Sequence, residues 1–248
     1  MRSWVDKTNA AAALAAAPHL TLLHQDDFWL PGRAAALRRW LTTWPDAALQ
    51  VHSTTIVDRH GRALGQWRSP LPAERSLGCA DVIEPLLVQN FIAIPSTVFS
   101  SAAYRSVGGM DPELWYTADW DLWLKLASRG SVVYHPDSFA CFRIHGRSLT
   151  VVGASEKEGL RGQLDTVLNK HLDRLGNSVT PQTVARARAS VDINAGLAAA
   201  FGGKTSAMLS AMWALLRLGP MQASRYLTDS RLLERVVPRL KARFTRDL

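Results

Sequence analysis

The sequence has few cysteines and no long hydrophobic run. Its 248 residues include only two cysteines, Cys79 and Cys141, and no CxxC pair. So few cysteines favour a protein of a reducing compartment such as the cytoplasm, and they argue against a fold held together by disulfides. The longest nearly apolar segments, Ala10–Pro18 and Ala207–Leu216, fall short of the roughly 18–20 residues that cross a bilayer. We therefore expect neither a disulfide-rich nor a membrane-spanning fold.

The sequence also lacks the signature of a covalent catalyst. It contains no Gly-x-Ser-x-Gly segment, and neither cysteine has an evident histidine partner. Such features accompany nucleophilic catalysis by serine or cysteine. If the chain is an enzyme, we expect acid–base or electrophilic chemistry.

Positive charge is concentrated in the C-terminal part of the chain. The net charge is +8, with 47% hydrophobic and 20% charged residues, as in ordinary globular proteins. Residues 155–248 hold 15 Lys and Arg against 8 Asp and Glu, a net of +7, which leaves +1 for residues 1–154. This asymmetry predicts two parts, residues 1–152 and a basic α-helical region over 153–248.

Periodicity and capping residues predict an α/β fold followed by helices. In the first part, helices are expected over residues 3–17, 31–44, 101–107 and 119–129. Strands are expected over residues 19–24, 49–57, 90–100, 131–135 and 138–144, and a surface loop over 65–78. Helices are expected in the second part over residues 156–175, 181–201, 205–218 and 221–244.

Two adjacent carboxylates, Asp26 and Asp27, follow the first predicted strand. Ligands bind at the carboxyl ends of strands in open α/β sheets. Mg²⁺ takes one or two protein carboxylates and leaves its other positions for phosphate oxygens and water. The pair could hold such an ion, or it could form a solvated turn that caps the next helix.

Two further segments carry candidate functional residues. Asp119 and Asp121 open a predicted amphipathic helix, where they could act in chemistry or only as capping residues. Arg143 and His145 share one side of an extended segment. They could hold a phosphate or a metal, or form a surface pair at a strand end.

Taken in order, four segments of residues 5–150 resemble the family 2 glycosyltransferases, which are inverting enzymes of the GT-A fold. The segments are Leu22-Leu23-His24-Gln25-Asp26-Asp27, Gly108-Gly109-Met110-Asp111-Pro112-Glu113-Leu114, Ala118-Asp119-Trp120-Asp121-Leu122-Trp123-Leu124-Lys125-Leu126 and Phe142-Arg143-Ile144-His145. The resemblance implies the C-terminal part of a GT-A, Rossmann-like glycosyltransferase domain, followed by an α-helical extension. Gln25 and Ala118 depart from the family pattern, which often has acidic residues there.

The resemblance also implies roles for individual residues. Asp119 matches the general base that deprotonates the acceptor hydroxyl. The implied metal ligands for Mg²⁺ or Mn²⁺ are Asp27, Asp26 and His145. The implied contacts to the nucleotide-sugar diphosphate are Gln25, Asp26 and Arg143. The implied acceptor-binding residues are Gly109, Trp115, Tyr116 and Asp121.

The implied activity is that of a metal-dependent glycosyltransferase of the hexosyltransferase type. It would move a sugar from a nucleotide-sugar donor to a glycan or lipid-linked acceptor with inversion, in bacterial cell-surface polysaccharide synthesis. About 70–90 residues of the family pattern, which bind the nucleotide base, are absent by the usual domain size. A longer gene product, a partner chain and an inactive remnant are the possible reasons, and a longer product is favoured. The alternative function is a non-catalytic, membrane-associated helical scaffold that carries a remnant transferase segment.

The basic C-terminal helices have two interpretations. A basic amphipathic helix can lie on an anionic membrane surface, or its charged face can simply be solvated. Nucleic acid is not an expected partner, because no nucleic-acid-binding motif is present and the aromatic residues lie mostly outside the basic region. The expected location is the cytoplasm, with peripheral attachment to the inner face of the cell membrane.

Overall fold

The protein has a mixed α/β fold with a helical C-terminal part, which confirms the predicted class. The structure is a computed structural model that describes residues 3–145, 157–204 and 206–244. The predicted boundary between residues 152 and 153 lies outside the described residues.

Seven strands form a single sheet in the described part of the chain. They are β1 (His19–Leu20), β2 (Phe28–Trp29), β3 (Leu49–Val57), β4 (Ala63–Trp67), β5 (Ser76–Leu77), β6 (Thr97–Ser100) and β7 (Val132–Arg143). The long buried strand β3 lies parallel to β7 over its whole length. On its other side, its first residues pair with β6 and its last with β4, both antiparallel.

Ten α-helices surround and extend this sheet in the described ranges. The first five are α1 (Trp4–Leu14), α2 (Arg33–Thr43), α3 (Cys79–Val88), α4 (Ser101–Ser106) and α5 (Ala118–Ala127). The basic region supplies α6 (Lys157–Leu175), α7 (Pro181–Phe201), α8 (Ser206–Arg217), α9 (Gly219–Ser230) and α10 (Leu232–Phe244).

Local capping explains why several predicted helices form as expected. The Ser3 hydroxyl accepts a hydrogen bond from Asp6 N, and the Asp6 carboxylate accepts one from Ser3 N, which makes a capping box. Thr180 caps α7 in the same way by accepting from Thr183 N, and Pro181 occupies the first helical position. These signals depend only on neighbouring residues, so the sequence reveals them.

The structure corrects the expected strands. The strand expected over residues 19–24 is limited to the two residues of β1, and the segment expected as a strand over 90–100 becomes strand only at β6. Residues 65–78, expected as a loop, contain the end of β4 and all of β5. The two strands expected near residues 131–144 form one strand, β7. Short pairings of this kind depend on distant partner strands.

The structure also corrects the expected helices. Helix α3 has no counterpart among the predicted helices; Val82, Ile83 and Leu86 bury its apolar face in the core. The helix expected over 221–244 is divided into α9 and α10, because Arg231 adopts a left-handed backbone conformation with φ +48°.

The C-terminal helices share the core of the sheet. Val167 and Leu168 from α6 and Tyr226 from α9 belong to the same buried cluster as Leu49 and Val51 of β3. Helix α5 is joined to α6 by Asp121, which is fully buried. The carboxylate of Asp121 accepts from His171 Nε2 at 2.9 Å and pairs with Lys125 and Lys170 at 2.7 and 3.0 Å.

Helix α10 returns to the sheet and lies against β4. Gly65 of β4 leaves room for Pro238, since a Cβ at residue 65 would stand 2.8 Å from Pro238 Cγ. Arg68 and Glu234 form an ion pair at 2.7 Å beside this contact. The helix thereby closes one side of a cavity at the sheet.

Candidate functional site

Asp26, Asp27, Arg143 and His145 lie together at one edge of the sheet. Asp27 directly precedes β2, which pairs with β7, so it lies opposite the end of β7. The Arg143 backbone N–H donates to Asp27 Oδ1 at 3.0 Å, and His145 Nε2 lies 3.2 Å from Asp26 Oδ2. Gln25, the fifth member of this predicted group, is exposed in the same turn.

Asp27 is the buried carboxyl group of this cluster. Desolvation by burial raises the pKa of Asp27 to about 6, and the hydrogen bond from Arg143 N opposes the shift. The neighbouring charge of Asp26 adds to the shift. A buried carboxylate with a raised pKa is stabilised by a cation, because the positive charge favours the ionised form.

Arg143 holds the turn at residues 26–27 against the end of β3. Its Nε donates to Asp26 O at 2.8 Å, and its Nη1 donates to the carbonyl oxygens of Asp58 and Arg59 at 3.0 and 2.9 Å. Because β3 and β7 are parallel, these carbonyls come to the same edge as Arg143. The diphosphate contact that the resemblance implies for Arg143 stays a prediction.

The donor set of this cluster suits Mg²⁺ or Mn²⁺ in its chemistry. Two carboxylates and an imidazole are ligands that these ions accept, and Mg²⁺ often takes only one or two carboxylates. Within the described residues, no group of three or more His, Cys, Asp or Glu side chains is placed to hold a metal ion. The assignment of Asp26, Asp27 and His145 as metal ligands therefore stays a prediction from the resemblance.

A cavity of about 460 Å³ lies next to this cluster, between the sheet and the C-terminal helices. His24 and Phe142, the chain neighbours of the cluster, both line it. Its walls are mainly aromatic and apolar; they include Trp4, Trp67, Trp115, Tyr116, Trp120, Ile92, Leu160, Leu164, Leu197, Phe201 and Val236. Its polar lining includes Gln89, Asn90, Asp119, Asn194, Arg235, Arg239 and Arg243. This volume and lining are typical of a small-molecule site.

Asp119 lies at the first turn of α5 and faces this cavity. Its Oδ2 accepts a hydrogen bond from Asn90 Nδ2 at 2.9 Å. Desolvation by burial raises the pKa of Asp119 to about 6, although the backbone N–H of Trp120 and the Asn90 amide stabilise the ionised form. Such a carboxylate is largely ionised at neutral pH and still basic enough to accept a proton.

The structure separates the four predicted acceptor residues. Trp115 and Tyr116 line the cavity, and Trp115 O accepts from Trp4 Nε1 at 2.6 Å. Asp121 is instead fully buried in its ionic network, where its cationic partners hold the pKa of the carboxyl well below its usual range despite burial. Gly109 adopts φ +68° and packs against Tyr104, away from the cavity lining. The positions of Asp121 and Gly109 give them structural roles.

Several polar residues of the cavity are absent from the sequence-based site, and three of them, Asn90, Arg235 and Arg239, bear on its chemistry. Asn90 orients Asp119, and Arg235 and Arg239 of α10 enter the cavity from the opposite end of the chain. The charge asymmetry indicates that α10 is basic, but only its packing against β4 shows which arginines point inward.

Comparison with known proteins gives similarity at the level of structure. No protein-family model matches the chain, and no curated protein matches its sequence. The crystal structure of S. aureus TarS is similar with a TM-score of 0.46 and 11% identity, over 84% of this chain and 42% of that chain. The crystal structure of S. aureus TarS 1-349 has a TM-score of 0.46 and 10% identity, over 86% of this chain and 69% of that chain. The crystal structure of S. aureus TarS 1-349 in complex with UDP-GlcNAc has a TM-score of 0.46 and 9% identity, over 92% of this chain and 73% of that chain. The chain thus spans less than half the length of the first of these proteins.

Proposed function

We propose that the chain is part of a glycosyltransferase of the inverting type. In this proposal it moves a hexose from a nucleotide-sugar donor to a glycan or lipid-linked acceptor in bacterial surface polysaccharide synthesis. The motif order in the sequence supports the family, and the geometry of the cavity supports the chemistry.

One observation carries the proposal most directly. Asp119, whose pKa is raised to about 6, faces the cavity. His24 and Phe142 line the same cavity, and they are chain neighbours of the cluster formed by Asp26, Asp27, Arg143 and His145. A basic carboxylate and a site for an electrophile therefore lie at neighbouring positions. An inverting transfer needs this pair of groups and no protein nucleophile.

The proposed reaction is a single in-line displacement. Asp119 accepts the proton of the acceptor hydroxyl while the hydroxyl oxygen forms a bond to the anomeric carbon of the donor sugar. The bond from that carbon to the diphosphate oxygen breaks, and the nucleoside diphosphate leaves with the electron pair. A divalent ion held by Asp26 and Asp27 would act as a Lewis acid that stabilises the leaving diphosphate.

The test of this proposal is calorimetric titration of the chain with Mn²⁺ and UDP- or GDP-sugars. We expect metal-dependent binding that Asp27→Asn abolishes, because the variant loses the buried anionic ligand. Asp46→Asn is the matched control, since Asp46 is exposed in a turn before β3. Equal binding by the Asp27 variant, or no nucleotide-sugar binding by the folded wild type, would contradict the proposal.

We also propose that an anionic membrane surface is a partner. No described helix is long and apolar enough to cross a membrane. Helix α8, however, exposes a row of large apolar side chains, Leu209, Met212, Trp213 and Leu216, that are 54–68% accessible. The exposed cations Arg188, Lys204 and Arg217 lie on or beside this helix. Apolar and cationic groups on one surface favour interfacial binding to anionic lipid.

A further inference from the structure

Arg235 and Arg239 place two guanidinium groups in the cavity with no acidic partner among the residues whose side chains are described. Arg235 Nε and Nη1 are buried without a hydrogen-bond partner, and its Nη2 donates only to Asn194 Oδ1, at 3.3 Å. Arg239 Nη1 donates to Arg235 O at 2.8 Å. The two side chains are one helical turn apart on α10, so they are neighbours.

This arrangement is unfavourable in the unliganded protein. Burial and the charge of Arg239 lower the pKa of Arg235 to about 10, and burial lowers the pKa of Arg239. Arg235 therefore remains charged at neutral pH. A buried charge without a counter-ion is strongly disfavoured, and two like charges one turn apart repel each other. An anion in contact with both groups would relieve both effects.

The rest of the cavity wall suits a ring rather than a bare ion. The Arg235 guanidinium carbon lies 5.7 Å from the centre of the Trp67 ring, and Trp67, Phe142 and Phe201 line the same cavity. Aromatic faces of this kind pack against sugar or other ring-shaped ligands. A volume of about 460 Å³ is sufficient for a ring with an attached anionic group.

Tyr116 lies near both kinds of charge in the cavity. Burial raises the pKa of its hydroxyl, the charges of Arg239 and Arg235 oppose the shift, and the charge of Asp119 adds to it. A ligand whose anionic group contacts the two arginines would therefore share the cavity with the Asp119 carboxylate.

We infer that this cavity binds an organic oxyanion, a phosphate ester or carboxylate carried on a ring, with Arg235 and Arg239 as the anion-binding residues. Guanidinium groups bind both oxyanions through paired hydrogen bonds. The assignment of this ligand as the acceptor rests on the proposed function, but its binding does not. The acceptor would then carry a negative charge.

The test is calorimetric titration of the full chain with phenyl phosphate, benzoate and benzyl alcohol, without metal or donor. We expect at least one of the two anions to bind more tightly than benzyl alcohol, and the tighter of the two identifies the oxyanion. The double variant Arg235→Gln/Arg239→Gln should weaken that binding more than tenfold, since hydrogen bonds to charged groups are strong. The double variant Arg38→Gln/Arg39→Gln, at two exposed arginines on α2, controls for net charge.

Thermal melting provides the second readout. The double variant should remain folded and melt no lower than wild type, because it removes the unpaired buried nitrogens of Arg235 and the repulsion between the two arginines. The anionic ligand should raise the melting temperature of wild type and not that of the variant. Equal binding of benzyl alcohol, or full anion binding by the double variant, would overturn the inference. Because no donor is present, failure here is distinguishable from failure of the transferase proposal.

Discussion

At the scale of single residues, burial sets the protonation behaviour of the candidate site. Asp27 and Asp119 are far apart in sequence, yet desolvation raises the pKa of each to about 6. Asp121 has no exposed surface, but its bonds to His171, Lys125 and Lys170 lower the pKa of its carboxyl. The difference is the presence of counter-ions, so the local sequence motif alone does not determine which aspartate is a base.

Asp119→Asn should stabilise the protein at pH 8. The pKa of the Asp119 carboxyl rises from 3.8 to about 6 on folding, so the folded chain binds more protons between these pH values. Stability therefore falls as pH rises through this window. Asparagine is neutral throughout this pH range, so the variant does not lose stability as the pH rises. At pH 8 its free energy of unfolding should exceed that of wild type by up to about 3 kcal/mol.

Urea unfolding at pH 4 and pH 8 measures this effect. The two proteins should be nearly equal near pH 4, where the folded carboxyl is protonated. A variant less stable than wild type at pH 8 would show that the Asn90 hydrogen bond outweighs desolvation. If the chain transfers sugar, the same substitution should reduce the rate at least 10²-fold, because general-base catalysis contributes about that much.

At the scale of elements, the contact of α10 with β4 closes one side of the cavity. Gly65 is the close-approach point, and a Cβ there would stand 2.8 Å from Pro238 Cγ. We expect Gly65→Ala to destabilise the protein by about 1–3 kcal/mol, as overpacking usually does. Equilibrium unfolding in urea measures the change.

Gly162→Ala is the matched control for this contact. Gly162 is exposed on α6, and a Cβ there meets no atom within 4 Å. Alanine should therefore raise stability by about 0.5–1 kcal/mol through its helix propensity. Equal effects of the two substitutions would mean that α10 does not pack closely on β4.

At the scale of the whole molecule, the exposed apolar face of α8 predicts binding to anionic vesicles. The double variant Trp213→Glu/Leu216→Glu should lose most of this binding, because it replaces exposed apolar area by negative charge. Leu14→Glu is the control; Leu14 is 87% exposed at the end of α1. Sedimentation with vesicles containing phosphatidylglycerol or only phosphatidylcholine measures the difference. Binding that is unchanged in the double variant, or equal for both lipids, would contradict the membrane proposal.

The sequence by itself determined the α/β class, the bounds of β3 and α7 and the residue types of the carboxylate cluster. Hydrophobic periodicity, capping residues and turn residues are local signals, so they can be recognised without the fold. Helix α3 and the short strands β1 and β5 were not identified correctly, since their stability comes from distant partners.

Only the tertiary structure decided which polar residues share the cavity. Asp121 carries the same side chain as Asp119 two residues earlier, but α6 covers it with Lys170 and His171. Arg235 enters the cavity because α10 packs on β4, more than 160 residues away in the chain. Burial and counter-ions arise from such long-range packing, and they decide whether a charged residue stabilises the fold or remains available to a ligand.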